Sequence, residues 1–351
     1  MSLKGLEQYL QLESEVKSFQ GQSLGAESGA KVKELELRAG KLFPPETNAD
    51  WKENIEVFFV AIVIALALRT FFLQPFVIPT DSMKPTLYGI PVEQSEAVPP
   101  GFLKRTTDFV LFGITYVYVH VDRGGEIMEV SETGPFGIDF LGYIPFIDRT
   151  RLVIGDQTYI LNGTPAEFSR GTRLSKGMII PDDSTPVNYV FGAGDHVFVN
   201  KFIYNFRKPH RGDVFVFNTE EIYRIKESLK SQGLKSQFYI KRCVGLPEDV
   251  LQIKPPYLIS NGKPLATSPI FQRIYSMKDG YQGYSTDLPD AMFLRTSNDT
   301  YRIPKNSYWA MGDNSFHSSD SRFWGPVPAQ NLVGTGLLIY WPFSSRWGLI
   351  P

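Results

Sequence analysis

Apolar residues along this chain form one long run and many short ones. The long run, residues 55 to 78, is unbroken from Val57 to Leu68 and is then interrupted by Arg69. A helix of about 20 mostly apolar residues crosses a bilayer, and an arginine near its end can extend its stem to the interface. We therefore predict a transmembrane helix over residues 55–74. The alternative is a buried core helix, whereas a cleavable signal would begin earlier in the chain.

The 54 residues before this run are mostly polar. Residues 1 to 20 carry apolar residues at helical spacing, and residues 31 to 40, KVKELELRAG, are helix-like again. A joint rich in Gly and Ser separates the two stretches. We expect 1–54 to be a polar leader, partly helical, and two interpretations stay open: a solvated appendage or a segment that binds a partner.

After the long run, the apolar residues are short stretches rich in β-branched and aromatic side chains, separated by Gly, Pro, Asn and Asp. The clearest candidates for strands are residues 114–121, 195–204, 212–218, 237–246 and 335–343. Helical segments do not alternate with these strands, as a parallel sheet would require. The pattern therefore predicts a mainly β protein with antiparallel sheets.

Composition narrows the possible functions. The formal net charge is -1 and the sequence pI is about 6.5, so the chain lacks the basic surface that nucleic acid binding needs. The single cysteine, Cys243, excludes a disulfide within the chain. The 30 glycines and 25 prolines suit a turn-rich β protein.

The first candidate for chemistry is Ser82, in the segment FVIPTDSMKPTL that follows the long apolar run. Pro79 and Pro85 exclude a regular helix around it. A nucleophilic serine needs a base, and Ser82 does not stand in a G-x-S-x-G motif. Without its partners, Ser82 reads more readily as part of a polar turn after an anchor.

A lysine can replace histidine as the base if burial lowers its pKa enough to leave the amine neutral. Lys241 lies in the predicted strand QFYIKRCVGL. Alternation along a strand places Lys241 and Cys243 on one face, and Ile240 and Arg242 on the other. An inward-facing Lys241 would lose hydration, whereas an outward-facing one would be an ordinary surface lysine.

The third candidate segment is AMGDNSFHSSDSRFWGPVP, residues 310–328, which is dense in short polar residues. In it, Ser318 is placed to orient a lysine amine, and Asp320 is placed to pair with Arg322. A metal site is the alternative, although the spacing of a calcium loop is absent. Its candidate ligands would be Asp313, Asn314, His317 and Asp320.

These segments together resemble a known family. IPTDSMKPTL, FYIKRCVGLPEDV and GDNSFHSSDSRFWGPVP are similar, in the same order, to the nucleophile, lysine and C-terminal boxes of bacterial type I signal peptidases. GDHVFVNKFIY with RGDVFVF resembles the strand box between the first two. The resemblance implies a signal-peptidase-type catalytic domain of antiparallel β-sheet, anchored by one N-terminal transmembrane helix, and it implies neither metal nor cofactor.

The resemblance also implies roles for single residues. Ser82 matches the nucleophile, Lys241 the general base and Ser318 the hydroxyl that positions the lysine. Thr80, together with the Ser82 amide, matches the oxyanion-hole donors. The residues that match the small substrate pockets and the ion pair that supports the loop are Ile78, Ile240, Asp320 and Arg322.

The chain departs from the family pattern in three places. Asp81 stands where a small residue is usual, and we expect its carboxylate to point to solvent. His317 stands where Asn is usual. About 100 residues, 90–191, separate the nucleophile box from the strand box, and we interpret them as a β-rich insertion. The catalytic domain would then comprise 75–89 and 192–351, with a variable accessory region at 254–303.

The implied activity is removal of N-terminal signal peptides from exported preproteins after small residues, at sites of the A-x-A type. The partners would be membrane-embedded preproteins and the lipid bilayer. The resemblance places the catalytic domain on the extracytoplasmic side of a bacterial cytoplasmic membrane. Two alternatives stay open: a non-catalytic, membrane-tethered β domain that binds exported chains, and a self-cleaving Ser–Lys protein.

Overall fold

The computed structural model describes residues 3–19, 26–42, 49–133, 149–220, 222–231 and 236–351. The chain divides into two compact units, Met1–Ala67 and Leu68–Pro351. The helices are α1 Leu3–Phe19, α2 Ala26–Leu42, α3 Ala49–Phe71, α4 Phe102–Phe112, α5 Pro165–Gly171, α6 Tyr223–Ser231, α7 Pro269–Ser276 and α8 Ser321–Trp324. Short 3₁₀ helices are Asp81–Met83, Ile203–Asn205, Ser315–His317 and Ala329–Asn331.

The strands belong to four sheets, and every pairing within them is antiparallel. The first ten strands are β1 Leu73–Val77, β2 Val92–Gln94, β3 Thr115–Val121, β4 Gly125–Thr133, β5 Arg149–Ile154, β6 Gln157–Asn162, β7 Ile179–Ile180, β8 Ser184–Phe191, β9 His196–Asn200 and β10 Val214–Asn218. The others are β11 Phe238–Gly245, β12 Val250–Lys254, β13 Tyr257–Ser260, β14 Lys263–Pro264, β15 Tyr301–Arg302, β16 Ser307–Met311, β17 Val327–Pro328, β18 Leu332–Trp341 and β19 Gly348–Leu349.

Helices α1 and α2 occupy the two helix-like stretches of the leader, and the joint at residues 20–25 lies outside the described residues. An ion pair of 2.8 Å joins Nη1 of Arg38 on α2 to Oε2 of Glu15 on α1. The two helices therefore contact each other, and whether they bind a partner stays an open prediction.

Helix α3 contains the long apolar run as far as Phe71. Its window Asn54–Phe71 has a mean hydropathy of 2.0, and none of it is buried, which gives no support to a core helix. Eighteen residues extend about 27 Å, close to the hydrocarbon thickness of a bilayer, about 30 Å. The helix ends at Phe71 rather than at the predicted residue 74, because the chain enters β1 at Leu73.

The largest sheet holds the predicted strands of the catalytic domain, which confirms the predicted fold class. Its order is β1-β9-β18-β10-β11-β16-β17, with β19 paired to β18. Strand β1 lies at one edge, directly after α3. Strand β11 lies between β10 and β16, so its backbone is paired on both sides.

One predicted strand, 195–204, is shorter than expected. Strand β9 stops at Asn200, whose side-chain Oδ1 accepts the N–H groups of Phe202 and Ile203 at 3.0 and 3.1 Å. An asparagine that bonds the backbone just ahead of itself starts a turn. This contact ends the strand although the apolar pattern continues.

The predicted insertion contains β2 to β8, together with helices α4 and α5. Its strands form a sheet of order β2-β8-β3 and a sheet of order β6-β5-β4-β7 around one apolar cluster. The β-rich character is confirmed for the described residues of this stretch, which leave out 134–148. The two helices were not predicted.

A smaller sheet, β14-β13-β12-β15, corresponds to the predicted accessory region. It begins at Val250 rather than at residue 254, and it packs with α7 around a cluster that includes Leu251, Phe271 and Trp309. Because Trp309 belongs to β16 of the large sheet, this region shares its core with the catalytic strands.

Candidate active site

Ser82 lies in a short turn between β1 and the insertion. The chain leaves β1 extended, with the N–H of Ile78 bonded to the carbonyl of Asp195 at 2.9 Å. A 3₁₀ helix, Asp81–Met83, then turns the chain, and Met83 is fully buried beside it. Ser82 is only 6% exposed, so this serine is not part of a solvated turn.

Lys241 points inward from β11. It is 5% exposed, and its register partner on β10 is Phe215. Its Nζ donates to Oγ of Ser82 at 2.7 Å and to the carbonyl of Ile240 at 3.1 Å. Two residues separated by 159 positions therefore form a buried hydroxyl–amine contact.

The surroundings of Lys241 change its protonation. Burial lowers the pKa of its amine from 10.5 to about 8, and the negative charges of Asp320 and Asp313 limit that fall. No described carboxylate lies within salt-bridge distance of Nζ. A substantial fraction of this amine is therefore neutral at mildly alkaline pH, as a base requires.

Arg242, the next residue on β11, is also buried but has a carboxylate partner. Its Nε and Nη2 donate to the two oxygens of Asp313 at 2.7 and 2.6 Å, and both side chains are fully buried. Thr86, from the segment after Ser82, donates to the same carboxylate. Tyr281 also contacts Thr86, at 3.0 Å between the hydroxyls. This network ties the nucleophile segment to β11.

The ion pair predicted between Asp320 and Arg322 is present. Nη2 of Arg322 lies 2.7 Å from Oδ2 of Asp320, and neither side chain is exposed. The same guanidinium donates to the carbonyls of Ser285 and Ser315 at 2.8 and 2.7 Å. The pair therefore holds the segment after β16 against the accessory region.

Ser318 lies beside this site but does not make the expected contact. It is 4% exposed, and its Oγ has no hydrogen-bond partner among the described residues. A Cβ added to Gly312 would lie 2.3 Å from Oγ of Ser318 and 2.3 Å from the carbonyl of Ser82. Ser318 and Ser82 thus flank Gly312 closely, while the predicted bond from Ser318 to Lys241 is not formed.

The remaining predicted residues lie near Ser82. Oγ1 of Thr80 is 3.5 Å from Oγ of Ser82, and Thr80 is exposed. Ile78 is buried in the apolar cluster against which Ile240 packs. The structure therefore brings Thr80, Ser82 and Lys241 together, with Ile78 and Ile240 on a shared apolar cluster beside them.

Two departures from the family pattern have distinct surroundings. The Asp81 side chain was expected to point to solvent. It is 46% exposed, but its carboxylate also forms an ion pair with Lys84 at 3.0 Å. His317 is exposed at the end of a 3₁₀ helix. Of the residues considered as metal ligands, Asp313 and Asp320 each bond an arginine instead.

Sequence reasoning missed the supporting roles of Arg242, Asn314 and Gly312. The side chain of Asn314 donates to the carbonyl of Asp81 at 3.1 Å, and its N–H donates to the carbonyl of Ser82 at 3.1 Å. A charged residue directly after Lys241 in an apolar strand was a usable signal, because a central strand buries both faces. Such a residue needs a partner of opposite charge.

Comparison with known proteins identifies a family for this chain. The family model described as signal peptidase, peptidase S26, matches residues 51–96 and 178–341. Signal peptidase I of Leptolyngbya laminosa is 32% identical over 181 residues, covering 51% of this chain and 75% of the relative. Signal peptidase I V of Bacillus subtilis is 30% identical over 152 residues, covering 43% and 79%. Probable signal peptidase I-1 of Synechocystis sp. is 31% identical over 170 residues, covering 48% and 72%.

The matched residues include every predicted site residue, and the unmatched stretch from 97 to 177 lies within the predicted insertion. The family model covers more than half of the chain, and the buried Ser82–Lys241 contact lies inside the match. The chain belongs to the signal peptidase family, peptidase S26.

Proposed function

We propose that the protein is a membrane-bound serine endopeptidase that removes signal peptides from exported preproteins, with Ser82 as nucleophile and Lys241 as general base. The observation that carries the proposal is the 2.7 Å contact between Nζ of Lys241 and Oγ of Ser82. It lies in surroundings that lower the lysine pKa to about 8. A buried serine next to an amine that is readily neutral has the two groups that acyl transfer needs.

The reaction begins when neutral Lys241 accepts the proton of Ser82. Oγ then attacks the scissile carbonyl, and a negative charge develops on the carbonyl oxygen. The Ser82 N–H and the Thr80 hydroxyl are the proposed donors to that oxygen. Lys241 next protonates the leaving amine, and water releases the signal peptide from the acyl-enzyme. The proximity of Thr80 to Ser82 supports its part in this scheme.

The substrate is proposed to bind as an extended strand beside β1. Among the described strands, β1 pairs only with β9, so its other edge is available for main-chain hydrogen bonds. Ile78 follows β1, and Ile240 lies one position before the lysine. Both pack on one apolar cluster, which supports small pockets for the two Ala-sized residues of an A-x-A site.

Ser318 is proposed to orient the amine of Lys241 during the reaction. Its buried Oγ lacks a described partner, and an unsatisfied buried hydroxyl is costly. The third N–H of a protonated Lys241 is available beyond the two bonds described above. Ser318 would accept that third N–H once Lys241 has taken the proton of Ser82.

The membrane location is proposed from α3 and the family. The exposed apolar helix Asn54–Phe71 would cross the bacterial cytoplasmic membrane, with the chain after Phe71 continuing on the extracytoplasmic side. Preproteins held in the bilayer by their signal peptides would then meet the enzyme within the plane of the membrane. Encounter in two dimensions replaces a search through solution.

The proposal is tested by cleavage of a preprotein with an A-x-A site by the full-length protein in lipid vesicles. Ser82→Ala removes the nucleophile, and Lys241→Arg replaces the base by a guanidinium, which keeps its proton. Each variant is expected to lower the rate at least about 1,000-fold. The matched controls, Ser175→Ala and Lys305→Arg, change exposed residues and should cleave as wild type does. Equal processing by wild type and Ser82→Ala would contradict the proposal.

A further inference from the structure

Asp81 is the residue before the proposed nucleophile, and its carboxylate bonds to two residues of the segment that follows Ser82. Oδ1 accepts the N–H of Gly89 at 3.0 Å, and Oδ2 pairs with Nζ of Lys84 at 3.0 Å. The first turn is also closed by the N–H of Lys84, which donates to the carbonyl of Asp81 at 3.1 Å. Asp81 is therefore bonded at three points to the residues just after Ser82.

The Gly89 contact bears directly on Thr80. A Cβ at Gly89 would lie 2.5 to 2.8 Å from backbone atoms of Thr80, so only glycine fits there. By holding the Gly89 amide, the Asp81 carboxylate keeps this backbone packed against Thr80. The position of Thr80 relative to Ser82 thus depends on the bond between Asp81 and Gly89.

The opposite side of the turn is held by the segment after β16. Asn314 donates its side-chain amide to the carbonyl of Asp81 and its backbone N–H to the carbonyl of Ser82, both at 3.1 Å. Asp81 is consequently fixed from both sides, by Asn314 at its backbone and by Gly89 at its side chain. This leaves the turn little freedom to move away from Lys241.

The charge of Asp81 is compensated within the same segment. A carboxylate close to a developing oxyanion would oppose catalysis, but this one is paired with Lys84, whose Nζ also lies 4.8 Å from the centre of the Tyr88 ring. Ion pairs between partly exposed side chains contribute little to stability. The contribution of Asp81 to geometry therefore lies mainly in its bond to the Gly89 amide.

We propose that Asp81 is a positioning residue, whose carboxylate fixes Thr80 and Ser82 in the arrangement required for attack and oxyanion binding. This inference rests on the proposed function of Ser82. It also explains why an acidic residue is compatible with this position: the carboxylate is directed to a backbone amide and a lysine rather than to the reacting atoms.

The test separates the hydrogen-bond acceptor of Asp81 from its charge. Asp81→Asn keeps an oxygen for the Gly89 amide but removes the charge. Asp81→Glu keeps the charge but displaces the oxygen by one methylene. With the full-length protein in vesicles, we expect Asp81→Glu and Asp81→Ala to lower kcat about tenfold with little change in KM, the loss that one hydrogen bond accounts for. Asp81→Asn should stay within about threefold of wild type.

The matched control is Asp299→Ala. Asp299 also accepts backbone N–H groups, from Arg295 and Thr296 at 2.8 and 3.1 Å, but in the accessory region. Its kcat should equal that of wild type. An equal loss in this variant, a higher kcat for Asp81→Glu than for Asp81→Asn, or wild-type kcat in Asp81→Glu would overturn the inference.

Failure of the proposed function gives a different result. In that case wild type and Ser82→Ala would process the preprotein equally, and the Asp81 inference would fall with it. If cleavage depends on Ser82 while the Asp81 variants do not differ in kcat, only the positioning role is wrong. Should Asp81→Ala fail to fold, shown by loss of its thermal transition, the comparison of Asp81→Asn with Asp81→Glu still decides.

Discussion

Two neighbouring cations on β11 are buried on opposite faces of the same strand and have opposite surroundings. Lys241 is 5% exposed, and its Nζ contacts the Ser82 hydroxyl and a carbonyl. Arg242 is fully buried and donates hydrogen bonds to both carboxylate oxygens of Asp313. Burial lowers the pKa of Lys241 to about 8. Burial also acts to lower the pKa of Arg242, but the Asp313 carboxylate outweighs it and raises that pKa.

The difference teaches that burial alone does not decide the protonation of a cation. A guanidinium keeps its proton even when buried, so Arg242 needs the Asp313 carboxylate to compensate its charge, and this pair ties β11 to the segment around Thr86. The carboxylates of Asp320 and Asp313 act on the Lys241 amine only from beyond hydrogen-bond distance, and so this amine can lose its proton. One strand thereby supplies both a fixed charge and a titratable base.

The largest expected effect comes from removing the partner of the fixed charge. Asp313→Ala leaves the Arg242 guanidinium buried without a carboxylate, which costs about 3–5 kcal/mol of unfolding free energy. Urea unfolding followed by circular dichroism measures it. The control Asp122→Ala removes a carboxylate that is 91% exposed and should change the unfolding free energy by less than about 0.5 kcal/mol. A loss below 1 kcal/mol for Asp313→Ala would mean that Arg242 does not depend on this partner.

A smaller effect of opposite sign is expected at the other cation. Because the pKa of folded Lys241 is about 8 and that of an unfolded lysine is 10.5, the unfolded state binds more protons between these values. Stability therefore rises with pH through this window. Below it, the buried amine costs up to about 3 kcal/mol, and Lys241→Met should relieve that cost.

The measurement compares unfolding free energies of wild type and Lys241→Met at pH 7 and at pH 10.5. The variant should be more stable at pH 7, and the difference should shrink toward pH 10.5. Lys305→Met, at a position 80% exposed, is the control and should show no such pH dependence. A difference between wild type and Lys241→Met that is the same at both pH values would show that Lys241 titrates normally.

The smallest effect is expected at Ser318. Because its Oγ has no hydrogen-bond partner among the described residues, Ser318→Ala should not lower the unfolding free energy. If it orients Lys241 during the reaction, kcat should nevertheless fall about tenfold. Parallel thermal unfolding and cleavage assays separate the two effects. Wild-type kcat would remove Ser318 from the mechanism, and a large loss of stability would show that its hydroxyl has a structural partner.

Much of the fold follows from local patterns in the sequence. Alternating β-branched and aromatic residues predicted β3, β10, β11 and β18, and the long apolar run predicted α3. The helix end was misplaced because Leu73 and Phe76 are as apolar in β1 as they would be in a membrane helix. Helix α4 was missed because its 11 residues carry their apolar side chains mainly at the two ends, without the spacing that indicates a helix.

The site was predictable where one residue type implies a chemistry. The order of segments brought Ser82 and Lys241 together as candidates, and the structure has them in contact. The alternation of residues along β11 predicted that Arg242 lies on the face opposite Lys241. It did not predict the order of the strands, which buries that second face as well. The partner of Arg242 was assigned to a possible metal site instead, because spacing within a loop does not reveal a contact 71 positions away.

The central claim is that Lys241 acts as a neutral base toward Ser82, and the pH dependence of the chemical step tests it most directly. Single-turnover cleavage of a preprotein by the full-length protein in vesicles should accelerate with pH. The rate should follow one ionisation with an apparent pKa of about 8. A rate that is constant from pH 6 to pH 9, or that rises only near the ordinary lysine value of 10.5, would contradict the account.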